Sequence, residues 1–276
     1  MPGEPGPDAP PSDASPPGGF PLGAAVTVAA LRDDPHPVLR RLREQEPVSW
    51  LPALGGWLVT RHDLAAQVMR DSQAFTVDDP RFTTAQVVGP SMLSLDGTTH
   101  RRHRDPFSQA FRGAEANARL EELVAAIATR LVAGLRQAGV GGAEVGRAEL
   151  RRGLAGPLAV SVVAEVLGLA GRDPAVILAW YDAIVAAVTA LSASPGAQVT
   201  AGREAFGALR ASIVGAIGQP AAASLLADAA RAGRLTEDEV VSNAAVLMFG
   251  GIETTEGMIS TAAWHLLSHP AQLSEV

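Results

Sequence analysis

The chain has 276 residues, of which 47% are hydrophobic, and a formal net charge of −7 at pH 7. This length and apolar fraction are enough for one large or two small cores, and the negative charge excludes the broad basic surface of a nucleic-acid-binding protein. All 22 basic residues are arginine and there is no cysteine, which excludes a disulfide scaffold and any thiolate chemistry within these residues.

The N-terminal segment has the composition of a disordered tail. Residues 1–22 are dense in Pro, Gly, Asp and Ser and cannot bury enough surface to fold, with a docking peptide as the alternative. The folded domain is expected over residues 23–276. The N-terminus lacks the basic stretch followed by an apolar stretch that would predict a signal peptide. The longest apolar run, residues 153–171, contains Pro157 and Glu165 and indicates a buried helix rather than a membrane span, which favours a cytoplasmic protein without membrane contact.

Short elements are predicted in the first third of the chain. Apolar spacing predicts a helix over residues 35–43, and two apolar runs around a turn rich in Pro and Gly predict a β-hairpin over residues 48–59. A helix is predicted over residues 62–70. Residues 76–92 have no sustained period and contain two prolines, so we interpret them as a long loop with at most one helical turn.

The rest of the chain is predicted to be helical from about Thr98 onward. The predicted helices cover residues 114–138, 151–169, 174–191, 200–217 and 236–268. The last one begins at the capping-box pattern Thr236-Glu-Asp-Glu239 and ends before Pro270. With about 32 residues it would be roughly 48 Å long. Because its middle, residues 244–249, is apolar on all sides, we expect it to cross the centre of the domain.

This long predicted helix contains the segment Phe249-Gly-Gly-Ile-Glu-Thr-Thr255. Two adjacent glycines inside a helix cost about 1 kcal/mol each relative to alanine, and they let a flat group approach the backbone. The hydroxyl of Thr254 can bond to the carbonyl of Gly250 and open a local kink, beside the acidic side chain of Glu253. Tight helix packing with a surface-facing glutamate is the alternative interpretation.

A second motif lies upstream, in Leu95-Asp-Gly-Thr-Thr-His-Arg-Arg-His-Arg104. The Asp-Gly pair predicts a turn, and Thr98 or Thr99 would cap the helix that follows. His100 and Arg104 then lie on one helix face and form a cationic pair suited to carboxylates or phosphates. A solvated basic face is the alternative interpretation.

Together the two motifs resemble the cytochrome P-450 family of bacterial haem-thiolate monooxygenases, over roughly residues 21–276. In that family a His-x-x-x-Arg helix grips the haem propionates, and His100 and Arg104 match this pattern. The family's long central helix carries Ala/Gly-Gly-x-Asp/Glu-Thr over the oxygen-binding face of the haem. The residues that match this second pattern are Gly250, Gly251, Glu253 and Thr254.

The resemblance implies a mainly α fold with a small β subdomain, and a haem b-dependent reaction that inserts one oxygen atom of O₂ into a small organic substrate. The second atom leaves as water, and the electrons come from NAD(P)H through a ferredoxin-type or flavin redox partner. The resemblance assigns Thr254 to ordering a hydrogen bond near the bound oxygen, and Glu253 to relaying protons. Met92 is expected to contact the haem together with the two glycines. Substrate contacts are expected from residues 76–92, 190–200 and 246–250.

One departure from the family concerns the iron ligand. Family members continue past the central helix into a Glu-x-x-Arg helix and a cysteine-containing loop, and neither follows here; no histidine takes the cysteine's place, so no metal ligand is assigned. We therefore expect a fold truncated after the central helix, an enzyme only in the complete protein, and residues 1–276 alone to be inactive and prone to aggregate through the open hairpin edge. A haem-free P-450-like helper of a glycosyltransferase is the alternative function, and a plain helical binding protein is the third.

Overall fold

The computed structural model describes residues 19–108, 114–141, 148–194, 196–218 and 224–275. The chain forms two compact units, residues 1–75 and 76–276. The expected class, mainly α with a small β element, is confirmed, since the described residues are mostly helical and contain one two-stranded sheet. Residues 1–18 of the predicted tail lie outside the described residues.

The first unit contains four helices and the hairpin. The helices are α1 (Pro21–Ala24), α2 (Val28–Asp33), α3 (Pro35–Gln45) and α4 (His62–Arg70). The predictions of α3 and α4 are confirmed, whereas the predicted tail extended too far, because Pro21 and Leu22 already belong to α1. The carboxylate of Glu46 accepts the backbone N–H groups of Leu22 and Gly23, both at 3.0 Å, and so holds α1 against the end of α3.

The predicted hairpin is confirmed, with β1 (Val48–Leu51) antiparallel to β2 (Gly56–Val59). Trp50 lies opposite Trp57 in the register, and their rings pack edge to face at 5.6 Å between centroids. Gly55, which precedes β2, has φ +59°, a left-handed conformation that glycine adopts without strain.

In the second unit every secondary-structure element of the described residues is helical. Its elements are α5 (Thr83–Val88), α6 (Gly97–Ser108), α7 (Ala114–Gly141), a π-helical turn (Arg151–Ala155), α8 (Gly156–Leu167), α9 (Pro174–Ala193), α10 (Thr200–Ile217), α11 (Leu225–Arg231), α12 (Glu237–Ser268) and α13 (Pro270–Leu273). The predictions of α7 to α10 and α12 are confirmed to within a few residues, except that the predicted helix at 151–169 begins as a π-helical turn. Three helices of this unit were not predicted, namely α5 within the expected loop, α11 and α13, which are all too short for a clear apolar period.

The start of α6 differs from the prediction. The helix begins at Gly97, so Thr98 and Thr99 lie inside it and are not its cap. Asp96, just before the helix, instead accepts hydrogen bonds from the Thr76 hydroxyl at 2.8 Å and the Val77 N–H at 2.9 Å. The hydrogen bond from Thr76 is the main reason that the pKa of Asp96 is lowered. This carboxylate therefore ties the start of α6 to the beginning of the second unit.

The core of the second unit lies around the first half of α12. Val240, Ala244, Met248 and Ile252 recur at helical spacing and are completely buried. The capping box predicted at the helix start is present, with Thr236 accepting from the backbone N–H of Glu239 at 3.3 Å and the Glu239 carboxylate accepting from Thr236 N–H at 2.8 Å.

Burial of α12 is less complete than predicted. Of the segment 244–249, Val246, Leu247 and Phe249 are only partly buried, and beyond Ile252 no described residue of the helix is buried.

By length and composition, α9 is the one helix among the described residues that could span a membrane. Ile177, Ile184 and Leu191 on this helix are buried in the apolar core of the second unit. Its packing against α10 is close, because a Cβ at Gly202 would lie 2.3 Å from that of Ala187.

Candidate functional site

A cavity of about 910 Å³ in the second unit is lined mainly by aliphatic side chains. Its walls come from the segment before α6 and from α6, α7, α8 and α12, with Leu225 of α11. Four residues that the two sequence motifs singled out lie in this wall, namely His100, Arg104, Gly250 and Gly251. Met92 lies there as well. Residues about 150 positions apart in the sequence are thus brought to one concavity that combines an apolar interior with a cationic pair.

The two glycines of α12 have different surroundings. A Cβ added at Gly250 would meet no atom within 4 Å, so the missing side chain leaves open space at the cavity. A Cβ added at Gly251 would lie 2.6 Å from Cγ2 of Val163, so this glycine allows α12 to pack closely against α8. Only Gly250 therefore has the role predicted for both, which is to give a flat group access to the backbone.

The cationic pair lies on α6 at the wall of the cavity. The Nδ1 atom of His100 is 2.7 Å from the carbonyl oxygen of Met92 and donates to it, because a carbonyl can only accept. Nε2 is thereby the ring nitrogen left for a ligand. The guanidinium of Arg104 is exposed and has no ion-pair partner among the described residues. An uncompensated cation beside an apolar cavity favours a ligand that is largely apolar and carries carboxylates.

A buried polar cluster joins α6 to α12 behind this pair. The side chain of Asn243 contacts Nδ1 of His103 at 3.0 Å, and Nε2 of His103 lies 3.3 Å from the carboxylate of Glu239. Arg102 donates to the same carboxylate at 2.6 Å and 3.0 Å. The hydrogen bonds from Arg102 lower the pKa of Glu239 to about 2, and burial lowers the pKa of His103. An ionised Glu239 and a neutral His103 are therefore the favoured states at neutral pH.

The acidic residue of the glycine motif has a buried aromatic partner. The hydroxyl of Tyr181, on α9, donates to Oε2 of Glu253 at 3.0 Å, and burial raises the pKa of Tyr181. The ring of Tyr181 also packs against Phe249, with 5.9 Å between centroids. This contact holds the Glu253 carboxylate on the side of α12 that faces α9, and Glu253 is not part of the cavity wall.

The hydroxyl of Thr254 donates to the Gly250 carbonyl at 2.5 Å, as the spacing predicted. The chain continues as α12 through this segment, and the kink predicted there stays a prediction. A carbonyl oxygen has two lone pairs and can accept the hydroxyl as well as the backbone N–H of the helix. Thr254 is exposed and is not in the cavity wall, whereas Thr255 is. Thr254 nevertheless lies on the face of α12 that carries Gly250 and Leu247, four and seven residues earlier.

The three segments expected to contact substrate contribute unequally to the cavity. Met92 comes from the first segment, and Val246, Leu247 and Gly250 come from the third. The described residues of the 190–200 segment do not line the cavity, although Ser192 lies 3.1 Å from the hydroxyl of Thr83. Among the described residues no group of His, Asp and Glu side chains is arranged to hold a metal ion.

Four residues around the site were not identified from the sequence. Asn243 and Tyr181 are polar side chains within apolar runs, which is the signal that could have marked them, because buried polar groups need partners. His103 and Thr255 lie within the two motif segments. Only the packed helices show that His103 is buried and that Thr255 lines the cavity. The partners of Asn243 and Tyr181 are distant in the sequence, so no local pattern names them.

Comparison with known proteins finds bacterial monooxygenases that are similar to this chain in sequence. The chain is 32% identical over 253 residues to the cytochrome P-450 monooxygenase PikC of Streptomyces venezuelae, which covers 87% of this chain and 58% of the relative. It is 29% identical to nocardicin C N-oxygenase of Nocardia uniformis, over 91% of this chain and 62% of the relative. No protein-family model matches the chain.

Solved structures with a similar fold include cytochrome P-450 enzymes. The crystal structure of CalO2 superposes with a TM-score of 0.71 at 25% identity and covers 89% of this chain and 63% of that one. A Mycobacterium marinum cytochrome P-450 in complex with pseudoionone has a TM-score of 0.72 at 20% identity, a likeness of fold alone. The chain spans about three fifths of the length of the curated relatives it matches, from 58% to 62% for those named here.

Proposed function

We propose that this chain, which has the cytochrome P-450 fold over about three fifths of the length of its relatives, forms part of a haem-dependent monooxygenase. The observation that carries the proposal is the meeting of His100, Arg104 and Gly250 at one apolar cavity. Sequence similarity to monooxygenases supports the same reaction class. The protein would insert one atom of O₂ into a small organic substrate and release the other as water.

The residues of the cavity fit haem b on three counts. Haem is largely apolar, as is the lining of the cavity beside Gly250, where a Cβ would point into open volume. It carries two propionates, which suit the cationic pair of His100 and Arg104. The side chain of Met92 and the aliphatic wall would contact the ring. The chain has no cysteine, so its residues do not include a thiolate ligand for the iron.

The catalytic residues that we propose are Thr254 and Glu253. Bound haem would supply the iron at which oxygen is activated. Thr254 would hold a hydrogen bond or a water on the face of α12 that also carries Gly250, and Glu253 would pass protons toward it. The Tyr181 hydroxyl, 3.0 Å from Glu253, would keep this carboxylate in place on the side of α9.

We further propose that the protein acts in the cytoplasm and takes electrons from NAD(P)H through a ferredoxin-type or flavin redox partner. This follows from the similarity to bacterial P-450 enzymes and not from a contact in the structure. Substrate would lie against Val246 and Leu247, which are partly exposed next to Gly250 at the cavity. Neither nucleic acid nor membrane is an expected partner.

Haem binding to the full-length protein and to two arginine variants tests the proposal. We expect Arg104→Ala to weaken haem binding by roughly 10- to 100-fold, the effect of losing a charged hydrogen bond to a propionate. Arg101→Ala is the matched control, because Arg101 is also exposed on α6 but does not line the cavity. Absorbance titration with haem gives both affinities, and oxygen- and reductant-dependent product formation tests the reaction.

Two results would contradict the proposal. Equal haem affinities in Arg104→Ala and Arg101→Ala would remove the propionate site from α6. A full-length protein that folds but takes up no haem would exclude the monooxygenase, and activation of a glycosyltransferase by that protein would favour the haem-free helper.

A further inference from the structure

A single buried amide holds the segment that carries Met92. Asn243 is completely buried in the apolar half of α12, and its Oδ1 accepts the backbone N–H of Met92 at 2.8 Å. The Nδ2 group of the same side chain donates to the carbonyl of Glu239 at 2.7 Å and lies 3.0 Å from Nδ1 of His103. The amide therefore bonds through both of its ends, and its oxygen is used on a residue 151 positions away.

The bond to Met92 continues to the cavity. The carbonyl of Met92 accepts Nδ1–H of His100 at 2.7 Å, and both Met92 and His100 line the cavity. The backbone of Met92 thus donates its N–H to Asn243 of α12 and accepts the imidazole N–H of His100 at its carbonyl. With Nδ1 donating to Met92, Nε2 is the ring nitrogen left for a ligand, and it can donate to a carboxylate when it also carries a proton.

We infer that Asn243 is a positioning residue that orients His100 through the backbone of Met92 and so prepares α6 to bind a haem propionate. The inference rests on the proposed function for the identity of the ligand. The chain of hydrogen bonds from Asn243 to His100 is itself a property of the protein without haem. It links the helix proposed to cover the oxygen-binding face with the helix proposed to hold the propionates.

The neighbours of Asn243 explain why the residue is an amide. His103 is buried, which lowers its pKa, and in its neutral form Nδ1 can accept from Nδ2 of Asn243. With Nδ2 bonded to His103 and to the Glu239 carbonyl, the amide has one orientation, in which Oδ1 faces the Met92 N–H. An apolar side chain of the same size would leave this buried N–H without its partner.

The test uses three variants of the full-length protein. Asn243→Leu removes the acceptor for the Met92 N–H, and Asn243→Asp keeps an oxygen of the same size in its place. Ser242→Ala is the matched control, since the Ser242 hydroxyl joins α12 to the preceding segment at the Val88 carbonyl, 2.6 Å away, without touching Met92. The readouts are hydrogen exchange of the Met92 amide and the NMR signal of the His100 ring in the haem-free protein, and haem affinity.

We expect Asn243→Leu to speed exchange at Met92, shift the His100 signal and weaken haem binding about tenfold, the loss of roughly one hydrogen bond. Ser242→Ala should stay within about threefold of the wild-type affinity and keep the wild-type exchange rate at Met92. Asn243→Asp keeps an acceptor for the Met92 N–H but loses the Nδ2 donor, so its Met92 amide should exchange more slowly than that of Asn243→Leu. If Asn243→Leu does not fold, Asn243→Ala is used in its place, and faster exchange at Met92 together with a shifted His100 signal supports the inference.

The inference is overturned if Asn243→Leu leaves the Met92 amide and the His100 ring as they are in the wild type. It is also overturned if Ser242→Ala loses as much haem affinity as Asn243→Leu, since the bond to Met92 would then not be what matters. A wild-type protein that binds no haem would refute the proposed function instead, and the exchange and NMR readouts would still decide the role of Asn243.

Discussion

At the scale of single residues, hydroxyl groups on α12 show how close neighbours differ. Thr254 bonds back to Gly250 at 2.5 Å and is exposed, whereas Thr255 lies in the cavity wall. Both hydroxyls adjoin the glycine motif, but only Thr254 matches the family pattern and is proposed to order a hydrogen bond or a water near the bound oxygen. The two positions therefore offer a direct comparison.

We predict that Thr254→Ala in the full-length protein keeps haem and substrate binding but lowers the yield of product per O₂ consumed. The reason is that a positioned proton donor contributes roughly 10²- to 10⁴-fold to the step it serves. Oxygen uptake and product are measured together in Thr254→Ala and Thr255→Ala. An unchanged yield in Thr254→Ala, or a loss confined to Thr255→Ala, would take the role away from Thr254.

At the scale of elements, the packing of α12 against α8 depends on a missing side chain. Gly251 faces Val163 so closely that a Cβ would lie 2.6 Å from Cγ2, and Gly250 next to it faces open space. Of the two adjacent glycines, Gly251 thus allows α12 to pack closely against α8, and Gly250 leaves open space at the cavity.

We predict opposite effects of alanine at the two glycines on the stability of the haem-free protein. Gly251→Ala should lower the free energy of unfolding by about 1–3 kcal/mol, because overpacking forces Val163 or the backbone to move. Gly250→Ala should raise it by about 0.5–1 kcal/mol, because alanine is the better helix former and meets no neighbour.

Urea unfolding followed by circular dichroism measures both effects. Val163→Ala in the Gly251→Ala background should recover part of the loss if contact with the Val163 side chain is its cause. Equal destabilisation at both glycines would show that the close approach of α8 and α12 does not distinguish them.

At the scale of the whole second unit, the ionic cluster of α6 and α12 ties distant parts of the chain together. Glu239 accepts from Arg102 on α6 and also caps its own helix through Thr236. The side chain of Glu239 is 25% exposed and that of Arg102 42%, so the pair is partly screened by solvent. Its main consequence is a dependence of stability on pH.

We predict that the free energy of unfolding falls as the pH drops from about 4.5 toward 2 and that Glu239→Gln makes this fall shallower. The pKa of Glu239 is lowered to about 2 in the folded protein from an ordinary value of 4.5, mainly by the hydrogen bonds from Arg102. Between pH 4.5 and about 2 the Glu239 carboxylate binds a proton in the unfolded chain but not in the folded protein. The stabilisation is therefore fully present above pH 4.5 and is lost progressively as the pH falls toward about 2.

Urea unfolding at a series of pH values checks this prediction. Glu237→Gln is the control, because it makes the same charge change in the first turn of α12 at a residue whose contact with Arg210 is on the surface. An identical pH dependence in Glu239→Gln and the wild type would show that Glu239 is not the group responsible.

Much of this protein is determined by its sequence alone. The limits of α12 follow from a capping box at its start and from Pro270 after its end. The hairpin follows from two short apolar runs around a turn, and each motif from residues within ten positions of each other. These features depend on neighbours along the chain, so local chemistry is enough to predict them. The resemblance to a family of known fold rests on the same local patterns.

The tertiary structure decided the rest, because the partners involved are distant in sequence. Only packing shows that Gly251 lies against α8 while Gly250 borders the cavity. The hydrogen bond between Tyr181 and Glu253, and the one between Met92 and Asn243, likewise join residues that are distant in the sequence. The short helices α5 and α11 also depend on their surroundings, since helices of six or seven residues are not stable by themselves. A buried polar group must find its partner in space, and that position in space is not contained in any local pattern.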